Sequence, residues 1–185
     1  MKALARARYL GLALALVWPA GPGRAEDRAA AFLETGAGGR APGLGGALVA
    51  AVDDPSAVFW NPAGLARVRR WQAVAAVQPL SLDRTQSSVA AALNVRGDLA
   101  FGVTWVHASV GGLEGRAGSG ARTGSMEDAE NAFCVGLART VGKRLAVGAS
   151  MTVLDQRLTM PSQLGWPDAT AGGHGFSLGV QLRLG

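Results

Sequence analysis

The sequence predicts an all-β fold. It reads as an antiparallel up-and-down transmembrane β-barrel, partial with about six strands here, joined to a short helical N-terminal plug segment. Three observations predict it. From Trp71 onward the chain alternates bulky apolar and small residues with period two. Glycine is abundant while charge is scarce. Ahead of the strands lies a glycine-rich segment with its own helix-start signals.

Composition sets the frame. The 185 residues include 27 Gly and 17% charged side chains, where ordinary domains carry about 7% Gly and about 25% charged residues. Half of the chain is apolar, yet nothing after position 25 approaches the roughly 18–20 consecutive apolar residues of a spanning helix. One cysteine, Cys134, excludes an intramolecular disulfide and a CxxC site, and two histidines, His107 and His174, make an ordinary zinc site hard to build.

The domain boundaries follow changes of texture: 1–25 signal peptide, 26–70 plug or hatch segment with short helices, 71–185 antiparallel barrel strands. Lys2, Arg6 and Arg8 form a positive n-region, Tyr9–Trp18 an apolar h-region, and Gly23-Arg24-Ala25 places small residues for cleavage after Ala25. Ten apolar residues span only about half of a ~30 Å hydrocarbon core, so export is favoured over a membrane anchor. Taking Lys2, Arg6, Arg8 and Arg24 from 18 basic residues leaves 14 against 13 acidic ones. The basic balance therefore belongs mostly to the targeting segment, and no nucleic-acid partner is expected.

Residues 36–46 hold six glycines, including Gly45 and Gly46, and Leu44–Val52 reads as a short helix with a small-residue face. Asp54-Pro55 and Asn61-Pro62 each pair a side-chain cap with proline at the first helical position, and the second turn is expected to end at Gly64. Asp53, Asp54 and Asn61 could be taken for metal ligands, but capping accounts for all three. Phe59 and Trp60 project between the two turns as an aromatic anchor.

The strands are read at 71–78, 87–95, 98–107, 130–139, 145–155 and 176–184. In 98–107, Leu99, Phe101, Val103 and Trp105 oppose Ala100, Gly102 and Thr104. The mildness of the second face fits a barrel interior better than a solvated sandwich face. Arg96-Gly97-Asp98 and Thr140–Arg144 read as short turns, and 108–129 and 156–172 as long polar loops. His107 is expected to end a strand and His174 to begin one. Trp71, Trp105 and Trp166 are expected near strand ends, as an interfacial girdle.

No chemistry-bearing motif emerges. The loop 111–124 lacks the Gly-Lys-Ser/Thr of a phosphate cradle, Arg96-Gly97-Asp98 is a hairpin turn before it is an adhesion tripeptide, Cys134 is a filler, and no GxSxG occurs. The sequence gives no catalytic residue, metal or cofactor, and the protein is expected not to be an enzyme.

The stretch 32–66, from Gly-Ala-Gly-Gly-Arg-Ala through Gly-Leu-Gly-Gly-Ala to Asp-Asp-Pro-Ser-Ala-Val-Phe-Trp-Asn-Pro-Ala-Gly-Leu-Ala, closely resembles the N-terminal signature of the PorV/PorQ-like group, related to the FadL-type fatty-acid channels of the outer membrane. The resemblance implies a barrel with the N-terminal segment inside as a hatch, and a role in hydrophobic-solute transport or in protein secretion and surface attachment. It implies that Gly45, Gly46, Asp53, Asp54, Pro55, Phe59, Trp60, Asn61, Pro62, Gly64 and Leu65 form the hatch rather than contact a ligand. The barrels it points to close about fourteen strands, and eight is the practical minimum for one chain. With about six strands and no terminal aromatic residue, the chain reads as a truncated portion. The partners expected are outer-membrane lipid, with apolar small molecules or secreted proteins. Two alternatives stand beside this: a structural membrane protein that assembles its barrel with other chains, and a soluble periplasmic β-protein that binds an apolar ligand.

Overall fold

The structure, a computed structural model, describes residues 31–44, 47–116, 118–161 and 167–183. The signal-peptide reading, Gly45, Gly46 and Trp166 lie outside them. Six strands form one antiparallel sheet in strict chain order: β1 (Trp71–Leu80), β2 (Arg84–Asn94), β3 (Leu99–Arg116), β4 (Arg122–Val141), β5 (Leu145–Thr159) and β6 (Ala169–Leu182). The up-and-down, all-β expectation holds at this level. The chain before β1 is short helices and turns: 3₁₀ turns at Ala31–Thr35 and Pro62–Arg67, and helices of four residues at Arg40–Gly43 and Ala57–Trp60.

Several boundaries differ from the sequence reading. The stretch 108–129 is not a long loop. β3 and β4 continue through most of it as a hairpin, because Ser109, Leu113, Ser125 and Met126 keep pairing across a register shift at Val110/Leu113. Likewise β5 reaches Thr159 and β6 begins at Ala169, so both ends of 156–172 are strand. His107 and His174 are therefore interior to β3 and β6, and Trp105 stands well inside its strand. Polarity suggested loops, but antiparallel backbone pairing does not require apolar side chains. The segment Leu44–Val52 is turns where described rather than one helix, with Ala47 N donating to Leu44 O and Ala51 N to Leu48 O.

Register sorts the side chains into two faces. One inner row runs Ala92, Gly102, Gly136, Ser150, Ser177; the next runs Ala100, Ala138, Gly148, Gly179. On the opposite face the rows are Leu93, Phe101, Leu137, Ala149, Leu178, then Ala91, Val103, Val135, Met151, Phe176, then Val89, Trp105, Phe133, Val153, His174. The hydrophobic core lies on the small face. There Leu48, Val52, Val58, Leu65 and Val68 of the N-terminal segment pack on Ala92, Ala100, Cys134 and Ala138. The bulky face stays open: Phe176 is 74% and Leu178 83% exposed, while Ala100 and Ala132 are 0%.

Close approach explains the small face. A Cβ built on Gly148 would stand 2.5 Å from Pro62 C and 2.6 Å from Ala63 N, and one on Gly102 2.6 Å from Val58 Cγ2. Gly175, on the same face of β6, has nothing within 4 Å of that position. Gly148→Ala is expected to lower stability by about 1–3 kcal/mol through overpacking, and Gly175→Ala to change it by no more than about 0.5 kcal/mol. Denaturant titration of the two purified variants tests this, and equal effects would contradict it.

Candidate functional site

The candidate site is the junction between the N-terminal segment and the small face. Asn61 is at its centre, and the sequence reading of this residue holds. With φ −160° and ψ 101° it precedes Pro62 at the first helical position, and its side chain accepts from Ala63 N at 3.2 Å. Its Nδ2 donates to Val49 O at 2.9 Å and to Val180 O at 3.3 Å. One buried amide thus caps the 3₁₀ turn, closes the preceding turns and reaches β6. The turn runs on to Arg67 rather than ending at Gly64. A Cβ on Gly64 would collide with Val52 O, which gives that glycine a packing reason.

Asp53 and Asp54 part ways. Asp54 Oδ1 accepts from Ser56 N at 2.9 Å and from Ser56 Oγ, so it fixes the turn at Pro55, and regular helix starts only at Ala57. Asp53 caps nothing, contrary to expectation: its Oδ1 pairs with Arg40 Nη1 at 2.7 Å on an exposed surface, and Asp54 Oδ2 lies 3.2 Å from the same nitrogen. The hydrogen bonds that Arg40 donates to Asp53 and then to Asp54 raise its guanidinium pKa above the ordinary value. Among the described residues no group of three or more His, Cys, Asp or Glu is placed to hold a metal ion.

Phe59 and Trp60 do form an anchor. Their rings meet edge to face at 5.2 Å, and Trp60 Nε1 donates to Ala37 O at 2.9 Å. The indole covers Gly36, whose φ of +78° and lack of side chain let it approach. Leu65 is fully buried against the small face, and Pro55 and Pro62 are buried too.

The sequence reading missed a set of amide side chains on the small face that fasten the segment by its carbonyls. Gln86 Nε2 donates to Gly36 O at 2.7 Å, Gln78 Nε2 to Gly38 O at 3.1 Å, Gln181 Nε2 to Val52 O at 2.9 Å and Asn94 Nδ2 to Val68 O at 3.2 Å. Ser88 Oγ accepts from Gly38 N at 3.0 Å. The available signal was the scarcity of long polar residues at the small-face positions of β1, β2 and β6. Each amide satisfies a backbone group that turns rather than helix or sheet would leave unpaired.

The open face has its own order. The apolar rows end at Trp105 and Phe133, stacked at 6.2 Å, and the next row is Ser87, His107, Asn131 and Asp155. Trp105 Nε1 donates across that boundary to Asn131 Oδ1 at 3.2 Å. Among the described residues no helix is long and apolar enough to cross a membrane. Comparison of the chain with family models, with curated proteins and with solved structures finds no match.

Asn61→Ala removes the cap and the donor to the Val49 and Val180 carbonyls, so it is expected to cost about 1–2 kcal/mol. Asp53→Ala, at an exposed pair, is expected to cost at most about 1 kcal/mol. Chemical denaturation of the two variants ranks them, and a larger effect at Asp53 would contradict the assignment.

Proposed function

We propose that the sheet is part of an outer-membrane β-barrel wall whose bulky face meets lipid and whose small face holds residues 31–70 as an internal hatch. The observation that carries this reading is the inverted packing: among the described residues, the short helices and turns before β1 cover the face poorest in apolar bulk. Burying a Val, Leu or Phe side chain is worth roughly 1.5–3 kcal/mol. A dozen such residues left about half exposed forgo on the order of 10 kcal/mol, as much as the whole stability of many domains. An apolar medium on that side removes the deficit.

The dimensions fit. From Leu145 to Val153, the outward positions of β5 are apolar apart from small Ala149. The eight steps from Leu145 to Val153, at about 3.4 Å each, cover about 27 Å. At a strand tilt of about 40° this is about 21 Å, near the ~25 Å apolar band of outer-membrane barrels. Trp105 then lies at one edge of the band with its indole N–H turned to the polar row, and the β3–β4 hairpin projects beyond as an exterior loop. The resemblance of 32–66 to the PorV/PorQ-like signature supports the same placement and an envelope role, in hydrophobic-solute transport or in secretion and surface attachment of proteins. The hatch fills the trough, so passage of a solute along the small face requires the hatch to move.

Cell fractionation tests the location. The chain is expected with membranes, released by detergent and not by salt, and recovery in the soluble periplasm would overturn the proposal. Leu137 lies mid-band, so Leu137→Arg is expected to cost about 2–4 kcal/mol when folding is measured into lipid bilayers. If the face is water-exposed instead, the same change is neutral or raises solubility.

A further inference from the structure

At the end of the small face where the short turns Gly97 and Lys143 lie, a cavity of about 860 Å³ opens between the hatch and the strand ends. Six cationic side chains from three parts of the chain line it: Arg67, Arg69, Arg70, Lys143, Arg144 and Arg183. The acidic residue in the lining, Asp53, is already paired with Arg40. Among the described residues none of the six cations takes part in an ion pair.

Two features show that the cations are placed there against local cost. Arg183 N donates to Arg144 O at 2.9 Å, one step beyond the Leu145–Leu182 pair, so the two arginines stand directly opposite each other. Both share the parity of Ala146 and Gln181, the hatch-facing side, and like charges opposite one another on adjacent strands are destabilising. The second feature is Arg70, whose φ of 57° lies in the left-handed region that favours glycine or asparagine. Asn94 holds that corner from two sides, with N donating to Arg70 O at 2.6 Å and Nδ2 to Val68 O at 3.2 Å. Arg67 is steered the same way, its Nε donating to Gln181 Oε1 at 2.5 Å.

We propose that this basin binds a phosphate-bearing anion. Guanidinium groups present paired N–H donors that match phosphate oxygens, and a bound anion removes the Arg144–Arg183 repulsion. The cavity is in the size range of sites for organic molecules, which suits a phosphate ester or diphosphate better than a single halide. The phosphate can arrive on a soluble ester or on a lipid headgroup.

The test uses the full chain purified in zwitterionic detergent and titrated calorimetrically with inorganic pyrophosphate. Saturable binding that weakens with added NaCl is expected. The double variant Arg144→Gln, Arg183→Gln is expected to bind at least about tenfold more weakly and, without pyrophosphate, to melt at a higher temperature than the parent. Arg122→Gln, at the far tip of the β3–β4 hairpin, should bind as the parent does. If the double variant does not fold, Arg69→Gln with Lys143→Gln carries the same binding comparison. Flotation with phosphatidylglycerol and with phosphatidylcholine vesicles separates the sources. A phosphatidylglycerol preference competed away by pyrophosphate assigns a lipid headgroup, whereas pyrophosphate binding without that preference assigns a soluble ester. Absence of saturable pyrophosphate binding, or binding undiminished in the variants, would overturn the proposal.

Discussion

The structure depends on a backbone-to-backbone approach that only a face without side chains permits. Gly148 and Gly179 are paired across β5 and β6, and the Pro62–Ala63 backbone, with the Asn61 side chain, lies directly over them. Two strands away, Gly102 and its partner Gly136 leave room for Val58, and Gly102 also for Leu65. These positions form a shallow diagonal floor, displaced by two residues between the β3–β4 and β5–β6 pairs. Interiors pack to the density of organic crystals, so even one methyl group on that floor would have to displace something. The high glycine content provides, at these positions, the seat for the N-terminal segment.

That constraint determines the polar chemistry as well. A segment of short turns carries many carbonyls with no partner in its own fold, and it lies against a face made mostly of Ala and Gly. Four long amides on that face, Gln78, Gln86, Asn94 and Gln181, are spent on those carbonyls, and Asn61 of the N-terminal segment supplies the corresponding bond to the sheet. The segment is therefore held by apolar burial at its centre and by amide hydrogen bonds at its margins. The opposite face of the sheet contributes nothing to this arrangement, and its large side chains stay exposed.

Much of this was legible in the sequence, and the misses share a cause. Alternation from Trp71 onward gave six strands, because period two directly reflects which face a side chain occupies. The Asn61-Pro62 start was legible because a cap followed by proline is a local device that needs no distant partner. The lengths of β3 and β4 were not legible: from Ser109 to Ala129 the pairs mix polar and apolar residues, such as Val110 with Asp128 and Leu113 with Met126, across a register shift, and no regular side-chain pattern records them. Asp53 and Asp54 looked alike in the sequence and both reach Arg40; what separates them is that Ser56 N and Oγ donate to Asp54 alone, which makes it the turn-forming carboxylate and leaves Asp53 an exposed ion pair. The anchoring glutamines went unread because Gln181 and Val52 are 129 residues apart. The basic basin is likewise assembled from the residues leading into β1, the β4–β5 turn and the end of β6.

The account stands or falls on which medium each face of one strand meets. Nitroxide labels placed singly along β5 from Ala146 to Val153, in a Cys134→Ala background reconstituted into bilayers, report this through collision with oxygen and with a water-soluble nickel complex. The account predicts a period of two. Labels at Val147, Met151 and Val153 should collide with oxygen and not with nickel, while those at Ala146, Ser150 and Thr152 should be shielded from both by the hatch. Nickel access at Val147, Met151 and Val153 equal to that of a hairpin-tip position such as Ser119 would contradict it.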